Sequence, residues 1–363
     1  MRVVRRIGRW LKRATIALVL LAILAAIPIV WNETQCVGSL PPSPSKYQPM
    51  LPEQDRRNLV DTYLTYPEWS IVHAYEDFAG VLRKGDESRF AYAPSIVGYW
   101  KNLCAISAIA SSQGTITSDV RAMLYIIGIS FTGEMGVKGL YETTIGRLSE
   151  WIRGPQKTPE DSFALATAER YATFLQQTPW YEFPFGQTLA AFWRETPMLQ
   201  GSVVRSLERR FALSAEYGVK AVYAKLIAQA AGLAPAKLTI RSVVQGGDPS
   251  DATGDIKLIE RRGDGTMVIE TPRYRAFTKI MLSLVGRDRT FQEIAGNHEI
   301  LVTVLVKDEA VLHLASIRQV IEVPLQARPG WVRRGFVLTV DMLGAMAQEV
   351  RTAGGEFEHA YDY

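Results

Sequence analysis

The N-terminal segment constrains this chain more than any other part of its sequence. Residues 14–31 read ATIALVLLAILAAIPIVW and carry no charge. At about 1.5 Å per residue, a helix of this length spans roughly 27 Å, close to the hydrocarbon core of a bilayer at about 30 Å. Trp10 and Trp31 stand near its two ends, where aromatic side chains favour the membrane interface. The segment therefore predicts a transmembrane signal-anchor helix over 14–31.

Charge predicts the orientation of this anchor. Residues 1–13 contain six basic side chains and no acid. Because basic flanks stay in the cytoplasm, 1–13 is predicted to be a cytoplasmic segment and the rest of the chain extracytoplasmic, which in a bacterium is the periplasm. The alternative is a cleaved signal peptide, which has a shorter apolar core followed by a small-x-small site. Here the bulky Ile29, Val30 and Trp31 end the core, which favours an uncleaved anchor.

Composition excludes several classes of function. The chain of 363 residues has 41 basic and 37 acidic side chains, and subtracting the six basic ones of residues 1–13 leaves 35 against 37. This balance gives no evidence for a nucleic-acid partner. Two cysteines are too few for a disulfide scaffold or a Cys-rich metal site. Without a G-x-G-x-x-G motif, a P-loop or a C-x-x-C-H motif, the sequence predicts no cofactor.

The pattern beyond the anchor divides the chain into three parts. Residues 32–52 are a Pro-rich spacer, predicted to be extended and to hold the folded part off the membrane. Residues 53–232 have apolar residues at helical spacing and predict a helical extracytoplasmic domain. Within it, Thr158 followed by Pro159 and two acids is a strong helix start. Residues 237–363 change to short β runs.

Two β-α-β units are visible in this last part. The first joins strands 266–271 and 299–306 through a helix, and the second joins strands 333–340 and 356–363. Such units side by side predict a split β-α-β, ferredoxin-like sandwich. The expected fold class is therefore α+β, with an N-terminal transmembrane helix, a mostly α-helical domain and a ferredoxin-like domain that folds on its own. No internal repeat is apparent.

The last predicted strand has two different faces. Strict alternation places Phe357, His359 and Tyr361 on one face. The other face carries Glu356 and Glu358. Since the aromatic face is the one that can be buried, both acids are expected to face solvent. Glu358 is then expected to tolerate replacement by alanine.

Histidine is rare in this chain, with four in total, and one has a carboxylate at helical spacing. His73 and Glu76 stand at i and i+3 of a predicted helix, so they share one side and could bind a metal or act as an acid–base pair. Glu68, two turns before Glu76, is a third weak candidate. A carboxylate-bridged di-iron centre would need a second Glu-His pair, which residues 53–232 lack. The alternative is a solvated face, or a histidine paired with a neighbouring carboxylate.

The two cysteines are Cys36 and Cys104. An extracytoplasmic location permits a disulfide between them. Cys104, however, lies among apolar residues, where a buried free thiol is equally at home. Both alternatives stay open.

Residues 180–193 contain a dense group of aromatic side chains. This density suits a bilayer interface or a partner surface. The alternative is the core of the helical domain. The group comprises Trp180, Tyr181, Phe183, Phe185, Phe192 and Trp193.

The sequence supports three hypotheses of function. The leading one is a single-pass membrane-anchored extracytoplasmic protein of binding or assembly type, whose partner is a membrane protein or a lipid. The second is a membrane-anchored enzyme with a metal or acid–base site around His73 and Glu76. The third is a sensor whose ferredoxin-like domain binds a small ligand, although the cytoplasmic segment is too short to be an output domain.

Overall fold

The computed structural model describes residues 2–197, 200–230, 238–315 and 317–361. The predicted α+β class is confirmed: helices fill the first part of the chain and two small antiparallel sheets the second. The predicted boundary between the two parts, at 232–237, lies outside the described residues. The helices of the first part are α1 Arg2–Gln35, α2 Leu59–Tyr63, α3 Tyr66–Lys84, α4 Tyr92–Gln113, α5 Ser118–Tyr141, α6 Arg147–Arg153, α7 Pro159–Leu175, α8 Phe185–Glu195 and α9 Val203–Ala230.

Helix α1 contains the whole predicted anchor. Its side chains Ile16, Leu24 and Val30 are 49%, 62% and 57% exposed, as on a helix that stands clear of the rest of the fold. Contact with the other helices is made by the last residues of the anchor and those after it: Ile29 packs against the helical core, and Asn32 Nδ2 donates to the Tyr125 hydroxyl at 3.0 Å. Membrane insertion of α1 stays a prediction.

The second part of the chain builds two four-stranded sheets. Their strand orders are β2-β3-β1-β4 and β6-β7-β5-β8, with antiparallel neighbours throughout. The strands of the first predicted β-α-β unit, 266–271 and 299–306, therefore lie in different sheets, and those of the second unit lie in one sheet with β5 between them. The two units do not stand side by side in one ferredoxin-like sheet. The elements are β1 Thr239–Gln245, β2 Lys257–Arg261, β3 Thr266–Pro272, α10 Arg275–Val285, β4 Thr290–Ile294, β5 Glu299–Lys307, β6 Arg318–Pro324, β7 Trp331–Thr339, α11 Leu343–Thr352 and β8 Glu356–Ala360.

These elements form two copies of one β-β-β-α-β unit. Both copies have the same strand order, and both carry bulges at equivalent positions. Ile259 and Val320 are the extra residues of the second strand of each copy, and Gln292 and Glu358 are those of the last strand. Because bulges are specific local features, their coincidence identifies a repeat. The expectation that the chain has no internal repeat was therefore wrong.

The helical part and the second repeat share one hydrophobic core. Leu301, Ile321, Val337 and Tyr361 of the second repeat are buried in the same cluster as residues of α2, α3 and α4. A separate cluster packs α10 and α11 between the two sheets. One face of the sheet β6-β7-β5-β8 is thus covered by the helical part.

The Pro-rich spacer lies along the first repeat. Buried Glu293 on β4 accepts hydrogen bonds from the Leu51 amide at 2.9 Å and from the Tyr47 hydroxyl at 2.8 Å. The Tyr47 ring stacks on His298. Residues 32–35 of the predicted spacer belong to helix α1, and the part around Tyr47 and Leu51 is attached to the α+β region.

Candidate functional site

The site predicted around His73 lies where α3 meets the last strand. The His73 side chain is 3% exposed, and its Nδ1 lies 2.9 Å from Glu76 Oε2. Its Nε2 lies 3.2 Å from the Tyr361 hydroxyl. The i, i+3 spacing brings His73 and Glu76 together, and buried Tyr361, the residue that follows β8, adds a long-range contact.

Glu358 is the third acid–base group of this cluster. Its Oε1 lies 3.7 Å from His73 Nδ1, and its side chain is only 11% exposed. One ligand atom from each of His73, Glu76 and Glu358 lies within 4.8 Å of the others. The expectation that Glu358 faces solvent was wrong, because Glu358 is the bulge residue of β8 and strict alternation fails there.

Arg333 on β7 supplies a positive charge where a metal ion would otherwise bind in this cluster. Its Nε and Nη2 donate to Glu358 at 2.6 and 2.7 Å, a bidentate pair. The same Nη2 lies 4.0 Å from Glu76 Oε2. The guanidinium thus lies between the two carboxylates and offsets one of their two negative charges.

The pKa shifts agree with this pairing. Burial alone would raise the pKa of Glu358, but the attraction of Arg333 outweighs it and lowers the pKa to about 2. Burial also opposes ionisation of Glu76, and the hydrogen bond from His73 lowers its pKa below the ordinary value. Both carboxylates are therefore charged at neutral pH, and the cluster joins the helical part to the second repeat.

An aromatic layer covers one side of the cluster. The Trp69 and His359 rings have centroids 3.7 Å apart. His359 Nδ1 lies 3.0 Å from Thr278 Oγ1, while its buried Nε2 has no hydrogen-bond partner among the described residues. Burial and the neighbouring His73 lower the pKa of His359 well below its ordinary value. A neutral His359 therefore acts as a packed aromatic group.

Glu68 lies outside the group of donor atoms around His73. Burial raises the pKa of Glu68 to about 7, and the charge of Arg273 opposes this rise only in part. The carboxyl is thus poised to exchange a proton near neutral pH, but the structure does not bring it into contact with Glu76.

Cys36 and Cys104 form a disulfide in the structure, with sulfur atoms 1.98 Å apart. The bond ties the residue that follows α1 to the middle of α4. The end of α1 is therefore fixed to the helical part.

The aromatic segment is mostly interior. Phe183, Phe185 and Phe192 are buried in the helical core, which agrees with the core alternative for these three residues and not with a bilayer or partner contact. Trp180 and Tyr181 are partly buried, and Trp193 alone of the six is largely exposed, at 52%. Their density reflects core packing of α7, α8 and α9.

A different surface, on α5, α6 and α9, is apolar. The exposed apolar side chains between Met123 and Ile152 and between Val203 and Leu226 form what we call the outer face of α5, α6 and α9. Its most exposed members are Val137, Leu140, Trp151, Phe211, Val219 and Val222. Residues 122–146 and 203–224, both fully described, expose no charged side chain.

The charges of these helices point inward instead. Lys138 and Lys220 pair with Glu216 and Glu134 at 2.9 and 2.7 Å. Fully buried Arg209 pairs with Glu142 at 2.8 Å. A water-facing helix has the reverse arrangement, with apolar residues inside and charges outside. The periodic charges of α9 were the available signal, since a helix with polar residues on its inner side leaves its apolar side outward.

Helices α5 and α6 belong to one continuous helical stretch. Among the residues that the structure describes, the continuous helical stretch Ser118–Arg153 is long and apolar enough to cross a membrane. Only 22% of its most apolar window is buried.

Comparisons with known proteins give no family for this chain. No protein-family model matches it, and neither the curated proteins nor the solved structures gave a match.

Proposed function

We propose that this chain is a single-pass membrane-anchored protein that binds or assembles with other membrane components. Its N-terminus is cytoplasmic and its bulk extracytoplasmic, and its partner is a membrane protein or a lipid. The observation that supports this proposal best is the outer face of α5, α6 and α9. Apolar patches on soluble monomers rarely exceed roughly 300–600 Å², and larger ones mark interaction surfaces.

Two further observations agree with the topology of the proposal. Residues 14–31 lie within one helix whose described side chains stand clear of the fold. The disulfide between Cys36 and Cys104 suits an oxidising, extracytoplasmic compartment.

A reporter fusion tests the topology. A reporter joined after Tyr363 should be active only outside the cytoplasm. Replacing the six basic residues of 1–13 by glutamine should scramble the orientation, because their charge sets it. A cytoplasmically active fusion of the unaltered chain would contradict the proposal.

Purification in mild detergent tests the binding function. A membrane component that co-purifies with the intact protein should be lost when Phe211, which is 69% exposed, is changed to glutamate. The matched control is Thr173→Glu on α7, also at an exposed position. A partner retained equally by both variants would show that the outer face does not bind it.

A second candidate function is a membrane-anchored enzyme with a metal or acid–base site at His73 and Glu76. The three ligand atoms within 4.8 Å of one another support it, and the bidentate pairing of Arg333 with Glu358 opposes it. Metal analysis of the purified protein decides: stoichiometric metal that is lost in His73→Ala supports this function, and a metal-free protein argues against it.

A further inference from the structure

We propose that the outer face of α5, α6 and α9 binds a second copy of this chain, with the two-fold axis along the membrane normal. The inference rests on the proposed function, because it names the partner that the apolar surface takes. It follows from the area of the surface, the directions of the helices and the position of the anchor.

The available area is sufficient for a stable dimer. The large apolar side chains of the outer face are 36–79% exposed. At roughly 100 Å² each, they present on the order of 1,500 Å², whereas a standard interface uses about 800 Å² from each partner. Residues 122–146 and 203–224 expose no charged side chain, and the exposed Arg147 and Lys225 follow these two stretches directly. The two stretches can therefore meet in a pair of copies without burying an unpaired ion.

The two long helices of the outer face lie side by side and antiparallel. Lys138 on α5 pairs with Glu216 on α9, and further along α5 the Tyr141 hydroxyl donates to Glu208 at 2.8 Å. Residue numbers thus rise on α5 as they fall on α9. Val137 and Val219 consequently lie at nearly the same height on neighbouring helices.

The anchor helix runs in the same direction as α5. Asn32 of α1 lies against Ser107 of α4, and Cys36, four residues later and just past the end of α1, is bonded to Cys104, three residues earlier on α4. Helix α1 therefore crosses α4 in the antiparallel sense. Helix α4 is in turn antiparallel to α5, because the Tyr99 hydroxyl donates to the Leu124 carbonyl and Tyr92 lies beside Gly139.

This direction places the outer face beyond the bilayer. With α1 along the membrane normal, Glu33 and its partner Arg121 lie at the membrane surface. At about 1.5 Å per residue, Val137 is then roughly 24 Å and Trp151 roughly 45 Å further along the α5–α6 stretch. The bilayer that holds residues 14–31 does not reach them, so the surface is left to a protein partner.

Symmetry favours a second copy as that partner. Rotation about an axis parallel to the helices places α5 of one copy against α9 of the other. Every helix of the resulting four-helix bundle then has antiparallel neighbours, the usual arrangement of such bundles. The same rotation keeps both anchors on one side, in one membrane, and presents identical surfaces at identical heights.

Cross-linking in native membranes tests the pairing. Two differently tagged single variants, Val137→Cys and Val219→Cys, are expressed together, so that a disulfide between the two tags can only join two copies. We expect this pair to cross-link at least tenfold more than a control pair on α7, Ala166→Cys with Thr173→Cys, whose positions are exposed. Cross-linking at the control level would overturn the proposal.

Mass measurement separates the proposal from the proposed function. In lipid nanodiscs, light scattering should give twice the chain mass of 40.5 kDa for the unaltered protein and for Thr173→Glu, and one chain mass for Phe211→Glu. A single copy that loses a different co-purifying protein in Phe211→Glu would overturn the dimer and keep the binding function. A single copy whose label at residue 137 is quenched by brominated lipid would overturn the dimer and leave a lipid as the partner. A single copy with neither a protein partner nor such quenching would overturn both proposals.

Discussion

At the scale of single residues, Glu358 decides what the cluster around His73 does. It is held by two hydrogen bonds from Arg333, whose side chain is 5% exposed. Removing one partner of a buried pair leaves the other charge uncompensated, at a cost of about 3–5 kcal/mol. The main role of the cluster is therefore structural: it joins the helical part to the second repeat.

We expect Glu358→Ala to lower the free energy of unfolding by about 3 kcal/mol or more, because it strands Arg333 in the interior. Glu356→Ala is the matched control: Glu356 pairs with Arg328, and both are about half exposed, so its loss should cost less than about 1 kcal/mol. Thermal melts of the full chain in detergent measure both. Equal melting temperatures for the two variants would contradict the assignment.

The same pair predicts sensitivity to acid. The folded-state pKa of Glu358 is lowered to about 2, so its stabilisation is complete above the unfolded pKa of about 4.5 and is lost as the pH falls from there toward 2. The contribution of Glu358, measured as wild type minus Glu358→Gln, should therefore shrink across this window. A difference that stays constant from pH 6 to pH 3 would rule out the ion pair.

Glu68 predicts the opposite dependence. Because its pKa is raised to about 7, the folded protein binds more protons than the unfolded one between about pH 4.5 and 7. Stability then falls as the pH rises through this window and levels off above it. Glu68→Gln should abolish this pH-dependent fall in the free energy of unfolding, which is on the order of 1–3 kcal/mol. Glu182→Gln, at an exposed position, should leave the fall unchanged. Parallel stability profiles for wild type and Glu68→Gln between pH 5 and 7 would contradict this.

At the scale of elements, the sequence could predict features that depend on residues close together in the chain. Helix α7 begins where expected because Thr158 and Asp161 cap it reciprocally, at 3.2 and 2.9 Å. His73 and Glu76 meet because helical spacing is fixed. The inward turn of Glu358 depends on how β8 pairs with β5, which no local pattern encodes. The repeat was hidden because equivalent positions differ in chemistry, as Glu293 and His359 do.

Helix α3 approaches the second repeat closely at Gly80, so a larger side chain there should lower stability. A Cβ atom added to Gly80 would overlap the Ala327 methyl group on the loop after β6. Gly80→Ala should therefore destabilise the protein by about 1–3 kcal/mol. Gly98→Ala in α4, where an added Cβ meets no atom within 4 Å, should instead stabilise it by about 0.5–1 kcal/mol. Melting temperatures that move in the same direction for both variants would contradict the close approach.

At the scale of the whole molecule, the helical part and the second repeat are interdependent. Leu301, Ile321, Val337 and Tyr361 of the second repeat are buried against the helical part, and the cluster of His73, Glu358 and Arg333 lies at the same junction. The first repeat contacts the spacer through Glu293 and the helical part through Gln177, which hydrogen-bonds to Arg273 and Ala276. The anchor, the spacer and both repeats are therefore joined, so a partner that binds the outer face acts on one connected body.

This connection argues against a C-terminal domain that folds alone. A fragment from residue 239 onward would expose the apolar face that α2, α3 and α4 cover. Exposing even four large side chains at about 2 kcal/mol each removes roughly 8 kcal/mol, comparable to the stability of a whole domain. It would also leave Arg333 and Glu358 without His73. We expect the isolated fragment to aggregate or to lack a cooperative melt, and co-expression with residues 53–230 to restore a soluble complex. A monomeric fragment that melts as sharply as the full chain would show that the shared core contributes little and that the two parts are separate domains.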